Sequence, residues 1–176
     1  AGGNIIDARI HTLRDGTAID NFLVQDPLGR RFDGPEQLAR IKKYIEDALL
    51  NRQTMMTKLD QKPLSRTRAE AFEVVPQVLI DNKASNRFTV IEVASRDRPA
   101  LLLSLAFALF QSKTMVHSAH IATYGERAVD TFYVTDLLGG KLESRTRIAT
   151  LERRLIEAAT NTAGDLLDVN AFAMSN

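Results

Sequence analysis

The 176-residue sequence contains no cysteine and no tryptophan, and it has only five prolines and three histidines. The absence of cysteine excludes disulfide bonds, thiolate metal sites and cysteine nucleophiles, and it is consistent with a reducing, cytoplasmic location. Neither sign of charge dominates, because 23 Lys and Arg residues balance 22 Asp and Glu residues to a net charge of +1. This balance gives no electrostatic reason to expect nucleic acid or an anionic membrane as a partner.

Long apolar segments are also scarce. The longest uncharged run, residues 99–112, is too short to span a bilayer and too long for a typical strand, so it predicts a buried helix. No signal-peptide pattern is visible at the N-terminus. The chain starts at Ala1 without an initiator methionine, and we expect it to be an excised piece of a longer protein.

An internal repeat organises the sequence. Residues 20–29 align with residues 130–139 at an offset of 110, and the apolar positions of residues 38–45 align with those of 148–155 at the same offset. Upstream, residues 8–12 align with 119–123 at an offset of 111. The change of one residue falls in a hairpin signal, Arg14-Asp15-Gly16. An insertion confined to a turn is what two copies of one fold would show.

The first copy predicts strand, strand and helix. Ile6, Ala8 and Ile10 alternate with polar residues as in a half-buried strand, and residues 18–26 form the second. Asp33 is the predicted N-cap of a helix with Pro35 and Glu36 in its first turn. The apolar face of that helix comprises Leu38, Ile41, Ile45 and Leu49.

The second copy predicts strand, helix, strand, strand and helix at residues 88–94, 99–111, 115–124, 128–136 and 145–159. A last strand is possible in residues 166–174. Residues 51–71 are polar and predict a linker, and residues 74–81 predict an edge strand because of Pro76. We therefore expect a first unit at 1–81 that lacks its first strand and helix, and a second unit at 82–176.

This layout resembles the ACT domain, a ferredoxin-like βαββαβ regulatory module of amino-acid-sensing proteins. The resemblance depends most on Asp97-Arg98-Pro99-Ala100-Leu101 between a strand and a helix, on Gly3-Asn4-Ile5 at the start of a strand, and on the repeat itself. It implies an α+β fold of tandem ACT domains, with antiparallel sheets, helices on one face and a truncated first copy.

More narrowly, residues 76–82, 89–99 and 117–130 are similar to the C-terminal tandem ACT region of the bacterial uridylyltransferase/uridylyl-removing family that modifies the PII protein. The resemblance implies glutamine as effector, PII as a partner of the parent enzyme, and catalytic domains with a Mg²⁺ requirement upstream of Ala1. It implies no catalytic residue and no cofactor in this chain. Two positions depart from the family: Ala100 stands where glycine is usual, and Thr114-Met115-Val116 replaces the Gly3-Asn4-Ile5 of the first copy.

The candidate ligand site is the turn that opens the second-copy helix. Unpaired N–H groups at a helix N-terminus suit a carboxylate, Asp97 suits an ammonium group, and Asn4 offers both a donor and an acceptor. We expect an amino acid between this turn of one unit and the start of the first strand of another. The ligand-binding residues that we predict are Asn4, Ile5, Asp97, Arg98, Pro99, Ala100 and Leu101. In an alternative interpretation, Asp97 and Pro99 only cap and start the helix.

Other polar clusters have simpler interpretations. His117 and His120 are expected on opposite faces of a strand, so they do not share a metal. Two aspartate pairs, Asp20 with Asp26 and Asp130 with Asp136, are expected to bound their strands at the turns. The arginines at 145, 147, 153 and 154 are expected on a solvated helix face.

The leading hypothesis is a glutamine-sensing regulatory region. Two alternatives stay open: a structural or dimerising ACT pair without a ligand, and an ACT pair from another amino-acid-regulated enzyme. Because the truncated first copy would expose apolar surface and a strand edge, we also expect a homodimer or strand exchange.

Overall fold

The computed structural model describes residues 3–13, 15–26, 28–50 and 74–160. The predicted linker at 51–71 and the possible last strand at 166–174 lie outside these residues. The described elements, in chain order, are β1 (Asn4–Thr12), β2 (Ala18–Gln25), α1 (Pro35–Leu49), β3 (Gln77–Asp81), β4 (Thr89–Arg96), α2 (Leu101–Gln111), β5 (Thr114–Tyr124), β6 (Arg127–Asp136) and α3 (Arg145–Thr160). No helix in this part of the chain is long and apolar enough to cross a membrane.

All of these strands belong to one antiparallel sheet in the order β2-β1-β5-β6-β4-β3. The α+β class and the antiparallel pairing predicted from the sequence are confirmed. β3 lies at the edge, next to Pro76, whose missing N–H would interrupt the hydrogen bonds of a central strand. Although the sequence assigns this strand to the first unit, it is hydrogen-bonded to β4 of the second.

The core lies between one face of the sheet and the helices α2 and α3. Strand alternation puts Thr89, Ile91 and Val93 of β4 on the covered face, as the sequence predicts. α2 packs against β5 and α3, while α3 packs against β3 and β4. Each fully buried Leu or Ile in such a core contributes roughly 1.5–3 kcal/mol. The largest apolar residues that are completely buried in this core are Ile91, Leu105, Leu109, Leu142, Leu151 and Leu155.

The first part of the chain is less well buried. The α1 side chains are all at least partly exposed, with Leu38 at 49% and Ile45 at 52%. The apolar stripe predicted for α1 therefore exists in the sequence but is not covered by the described residues. The predicted cap at Asp33 is wrong: Gly34 occupies the N-cap, Pro35 follows at the first helical position, and no side chain caps this end.

The same turn follows the second strand of each predicted copy. The Asp26 Oδ1 atom accepts hydrogen bonds from the N–H groups of Leu28 and Arg30, and Asp136 Oδ1 accepts them from Leu138 and Gly140. Gly29 (φ +77°) and Gly139 (φ +85°) provide the left-handed residue that each turn needs. Asp26 and Asp136 thus end their strands as predicted.

Two arginines of α3 bind the C-terminal end of α2 and do not lie on a purely solvated face, which corrects the sequence prediction. Arg147 donates to the carbonyl oxygens of Ser112 and Lys113, and Arg154 donates to that of Gln111. The last carbonyls of a helix have no intrahelical partner, so cations there are favourable. Arg153, in contrast, pairs with Glu157 one turn further along α3.

A small polar network joins the β3–β4 hairpin to the loop before α3. The Thr89 hydroxyl donates to Asn82 Oδ1 at 2.6 Å and accepts from the Leu142 N–H at 2.9 Å. The Asn82 side chain donates to the Leu142 carbonyl, and Lys141 Nζ donates to the Asn82 carbonyl. Because Thr89 and Leu142 are both buried, the Leu142 N–H loses its acceptor in the protein interior if the hydroxyl is removed.

We therefore expect Thr89→Val to lower the free energy of unfolding by about 1–3 kcal/mol, the cost of buried polar groups left unpaired. The measurement is chemical denaturation followed by circular dichroism. Thr131→Val, at a half-exposed position of β6, is the matched control and should change stability by less than about 0.5 kcal/mol. Equal losses in the two variants would contradict the role of the network.

Candidate functional site

The candidate site is built around the turn between β4 and α2. The Asp97 N–H donates to the Glu126 carbonyl at 2.8 Å, which fixes the turn to the β5–β6 hairpin. Ala100 is the N-cap residue of α2 and has no side chain that can cap it. Because the first N–H groups of a helix have no intrahelical acceptor, those of Leu102 and Leu103 are available to bind an anion at this end.

Ala100 has a left-handed backbone, with φ 61° and ψ 13°. The resemblance described in the sequence analysis implies glycine at this position. A methyl group in this conformation costs roughly 1–2 kcal/mol, because Cβ approaches the following carbonyl oxygen. The departure noted in the sequence therefore coincides with local backbone strain at the candidate site.

Arg98 has a mainly structural set of contacts. Its guanidinium donates to the Ala158 carbonyl near the end of α3, to the Ser104 hydroxyl and to the Pro99 carbonyl. These bonds connect the turn to α3 and to the second turn of α2. Pro99 is exposed, while Leu101 is only 4% exposed and belongs to the core. Within the predicted set, Asp97 and the helix N–H groups are the parts best placed to contact a polar ligand.

Asp130 is a residue that the sequence reasoning missed. It was expected to bound a strand at a turn, but it lies in the interior of β6, 1% exposed, between Ala128 and Phe132 on the covered face. Burial, together with the charge of Asp97, raises the pKa of Asp130 to about 7. The signal was present in the sequence, since Ala128, Asp130, Phe132 and Val134 share one side of an alternating strand.

Asp97 is the charged group that acts on Asp130 among the described residues. Partial burial also raises the pKa of Asp97, although the N–H of Arg98 opposes that shift. A buried carboxyl that feels the charge of a second carboxyl resists ionisation, so Asp130 retains a proton more readily than in water.

Asn4 and Ile5 begin β1, at the end of the sheet where β5 ends and α2 begins. β5 lies between β1 and the β6–β4 pair, and Ile5 packs against the core. The structure thus puts them at the same end as the Asp97 turn. Their part in a ligand site stays a prediction.

Other polar features lie elsewhere. A cavity of about 340 Å³ lies at the opposite end of α2, between Lys113 and the start of α3. The histidines have separate partners: His117 contacts Thr135, His120 approaches Asp7 at 3.6 Å, and His11 contacts Ser118. Within the described ranges, no three or more His, Cys, Asp or Glu side chains are grouped to hold a metal.

The strain at Ala100 leads to a first prediction for the site. Ala100→Gly should raise the free energy of unfolding by about 1 kcal/mol, because glycine adopts a left-handed backbone without a Cβ clash. Ala106→Gly, at an exposed position inside α2, should lower it by about the same amount. Denaturant titration of both variants measures the sign of each change in the free energy of unfolding. Destabilisation by both substitutions would contradict backbone strain at Ala100.

The burial of Asp130 leads to a pH prediction. Its pKa is higher in the folded chain than the ordinary 3.8, so the folded state binds more protons and loses stability as pH rises from about 4 to about 7. The loss is up to about 4 kcal/mol. Asp130→Asn should remove most of this loss, whereas Asp20→Asn, at an exposed position of β2, should keep it. Parallel unfolding curves of the wild type and Asp130→Asn across this range would refute the burial argument.

Comparisons with known proteins agree with this architecture. Residues 84–162, which include β4, α2, β5, β6 and α3, match the family described as the ACR family N-terminal ACT domain. No solved structure matches the chain.

Three curated relatives share one name. Proteins called bifunctional uridylyltransferase/uridylyl-removing enzyme are 65% identical over 159 residues in Novosphingobium aromaticivorans, 58% over 161 in Erythrobacter litoralis and 52% over 159 in Zymomonas mobilis. These alignments cover 90–92% of this chain but only 17–18% of each relative. Residues 84–162 therefore match an ACT domain, and most of this chain is similar to about a sixth of the length of these bifunctional uridylyltransferase/uridylyl-removing enzymes.

Proposed function

We propose that this chain is the effector-sensing region of a bifunctional uridylyltransferase/uridylyl-removing enzyme and that its effector is glutamine. The activities belong to the relatives by name and come to the whole protein as part of this proposal. The resemblance adds PII as the uridylylated partner, and a Mg²⁺ requirement for catalytic domains outside this chain.

The observation that carries the proposal is the uncapped N-terminus of α2 beside Asp97. A free amino acid carries a carboxylate and an ammonium group on one carbon. The helix N–H groups and dipole are favourable for the carboxylate, and Asp97 is favourable for the ammonium group. The remaining side chain of the ligand then determines which amino acid binds.

Two structural features support a tandem pair of ACT units with a truncated first copy. The Asp26 and Asp136 turns have the same hydrogen bonds. In the β1–β5 pairing, Arg9 lies opposite His120, and these two positions are equivalent at the offset of 111. Equivalent residues pair with each other when two copies of one unit meet about a local two-fold axis. The unit boundary between residues 81 and 82 stays a prediction.

The proposed mechanism is a shift between arrangements of the paired units. A ligand can change that balance only by as much as its affinities for the two arrangements differ. The β1–β5 pairing is the element through which binding at the α2 corner would reach the rest of the chain, because it joins the two parts of one sheet.

A second candidate function is assembly without a ligand. Ile19, Phe22 and Leu23 of β2 are 45–57% exposed, and β2 forms one of the two edges of the described sheet. Exposed apolar side chains beside an open strand edge favour pairing with another chain. This observation supports a homodimer, either instead of amino-acid binding or together with it.

The proposal predicts stabilisation by glutamine. At a concentration about 100 times the dissociation constant, bound ligand adds ~2.7 kcal/mol to the folded state, which corresponds to a rise of roughly 5–10 °C in Tm for a chain of this size. Thermal unfolding with glutamine and with glutamate measures the effect. Asp97→Asn should abolish the glutamine shift.

Static light scattering over a range of chain concentrations separates the two candidate functions. An unchanged Tm at saturating glutamine, combined with a dimeric mass, would favour assembly and contradict sensing. A Tm shift that survives in Asp97→Asn would place the ligand elsewhere in the chain.

A further inference from the structure

The buried polar atoms that lack a hydrogen-bond partner are concentrated in one corner of the described structure. They are Ser95 Oγ, Arg98 Nε and Asp130 Oδ1. Ser95 and Asp130 are each only 1% exposed. Native proteins leave few such atoms unpaired, because each costs the desolvation of a polar group without compensation. The grouping of all three at the β4–α2 junction indicates a missing partner there.

The sheet register places Ser95 and Asp130 on the same face. Ser95 pairs with Ala128, and Val93 pairs with Asp130, so Ser95 and Asp130 are diagonal neighbours across β4 and β6. Both are buried on the side covered by α2 and α3. Asp97 follows Ser95 by two residues in the turn, and its charge raises the pKa of Asp130, so oxygen-bearing side chains of β4, β6 and the turn belong to the same corner.

No cation of the described chain is placed to neutralise Asp130. The Arg98 guanidinium donates to Ala158, Ser104 and Pro99. Its Nε is buried without a partner, but Arg98 is not among the groups that shift the pKa of Asp130. The backbone N–H of Ala122 is the group that favours the ionised form of Asp130, and its two paired neighbours, Val93 and Ile121, are uncharged. A buried carboxylate is normally paired with a cation, or it takes up a proton.

From this placement we infer that Asp130, together with Asp97 and Ser95, binds the ammonium group of the amino-acid ligand. The inference rests on the proposed function, since it names the residues that recognise the cationic end of the effector. The tetrahedral N–H bonds of an ammonium group match a corner of two carboxyls and one hydroxyl. The N–H groups of Leu102 and Leu103 then remain for the ligand carboxylate.

Binding in this arrangement releases a proton. In the free protein, one of the two carboxyls holds a proton because both resist ionisation together. When the ammonium group enters, the carboxylates of Asp97 and Asp130 both accept its N–H bonds, and the proton held by one of them leaves to solvent. The ligand keeps all three of its own protons. Affinity should therefore rise with pH up to about pH 7, at most tenfold per unit.

The first copy provides a matched control residue. Asp20 of β2 is the equivalent of Asp130 at the offset of 110, and it pairs with Ile10 as Asp130 pairs with Ile121. Asp20 is exposed, because no strand and helix cover that face in the described residues. Asp20→Asn therefore changes the same charge in the same strand position without touching the proposed site.

The test is isothermal titration calorimetry of the chain with two probes, glutamine and its desamino analogue 4-carbamoylbutanoate, at pH 6.5. Two buffers with different ionisation enthalpies give the number of protons released. The wild type should bind glutamine with net proton release and should not bind the desamino analogue. Asp130→Asn should weaken glutamine binding about 10- to 100-fold and abolish the release, while Asp20→Asn should behave as the wild type.

The outcomes separate the inference from the proposed function. Absence of glutamine binding to the wild type would remove both. Glutamine binding without proton release, equal binding of the desamino analogue, or unchanged binding by Asp130→Asn would overturn the role of Asp130 and leave glutamine sensing intact. If Asp130→Asn fails to fold, the proton count and the analogue comparison on the wild type decide the matter.

Discussion

The alternation of β6 on the sheet face covered by α2 and α3 is the constraint on which the candidate site depends. Ala128, Phe132 and Val134 must face the helices to fill the core, and the two-residue period of the strand places Asp130 with them. A shift of the β6 register by one residue would move the Asp130 carboxyl to the exposed face, but it would also expose Phe132 and Val134. The core therefore keeps Asp130 buried. β4 is hydrogen-bonded to β6 and leads directly into the Asp97 turn, so the same pairing brings the second carboxyl to Asp130. The buried Asp130 carboxyl, which is costly for stability, is thereby fixed near the N-terminus of α2, the helix end that suits the carboxylate of an amino acid.

The two parts of the chain differ in how completely they are covered. Residues 77–160 supply nearly all of the described core, whereas Ala8 and Phe32 are the buried apolar residues in the part of the chain that the structure describes before β3. The same strand position is therefore buried as Asp130 and exposed as Asp20. If chain beyond Ala1 completes the first unit, Asp20 would be buried in a second corner of the same kind. A pair of such corners joined by the β1–β5 pairing would couple two binding events through one sheet.

Much of the fold follows from local patterns in the sequence. Alternation identified β1, the internal repeat extended the strand assignment to β5 and β6, the apolar run identified α2, and Pro76 placed β3 at an edge. The repeated aspartate turns were also readable, because Asp and Gly have strong turn preferences. These features depend on short-range chemistry or on a two-residue period, and tertiary contacts do not reverse them.

The predictions from the sequence were wrong where the burial or the contacts of a residue depend on a distant part of the chain. Whether the α1 stripe is buried depends on a partner surface that local periodicity does not contain. Arg147 and Arg154 were expected in solvent, but the helix pairing puts them beside the last carbonyls of α2. Asp130 was assigned to a turn by analogy with Asp136, although its apolar neighbours at positions 128, 132 and 134 indicated burial. The site was thus half predictable: the helix N-terminus and Asp97 from a motif, Asp130 only from strand register.

Nuclear magnetic resonance of the chain during a glutamine titration tests the central claim most directly. With carboxyl carbons labelled in aspartate and backbone amides observed in parallel, the account predicts that the signals of the Asp97 and Asp130 carboxyls and of the Leu102 and Leu103 amides shift together and saturate with one dissociation constant. Shifts confined to the cavity between Lys113 and α3, or a titration that leaves the Asp130 carboxyl unchanged, would contradict it.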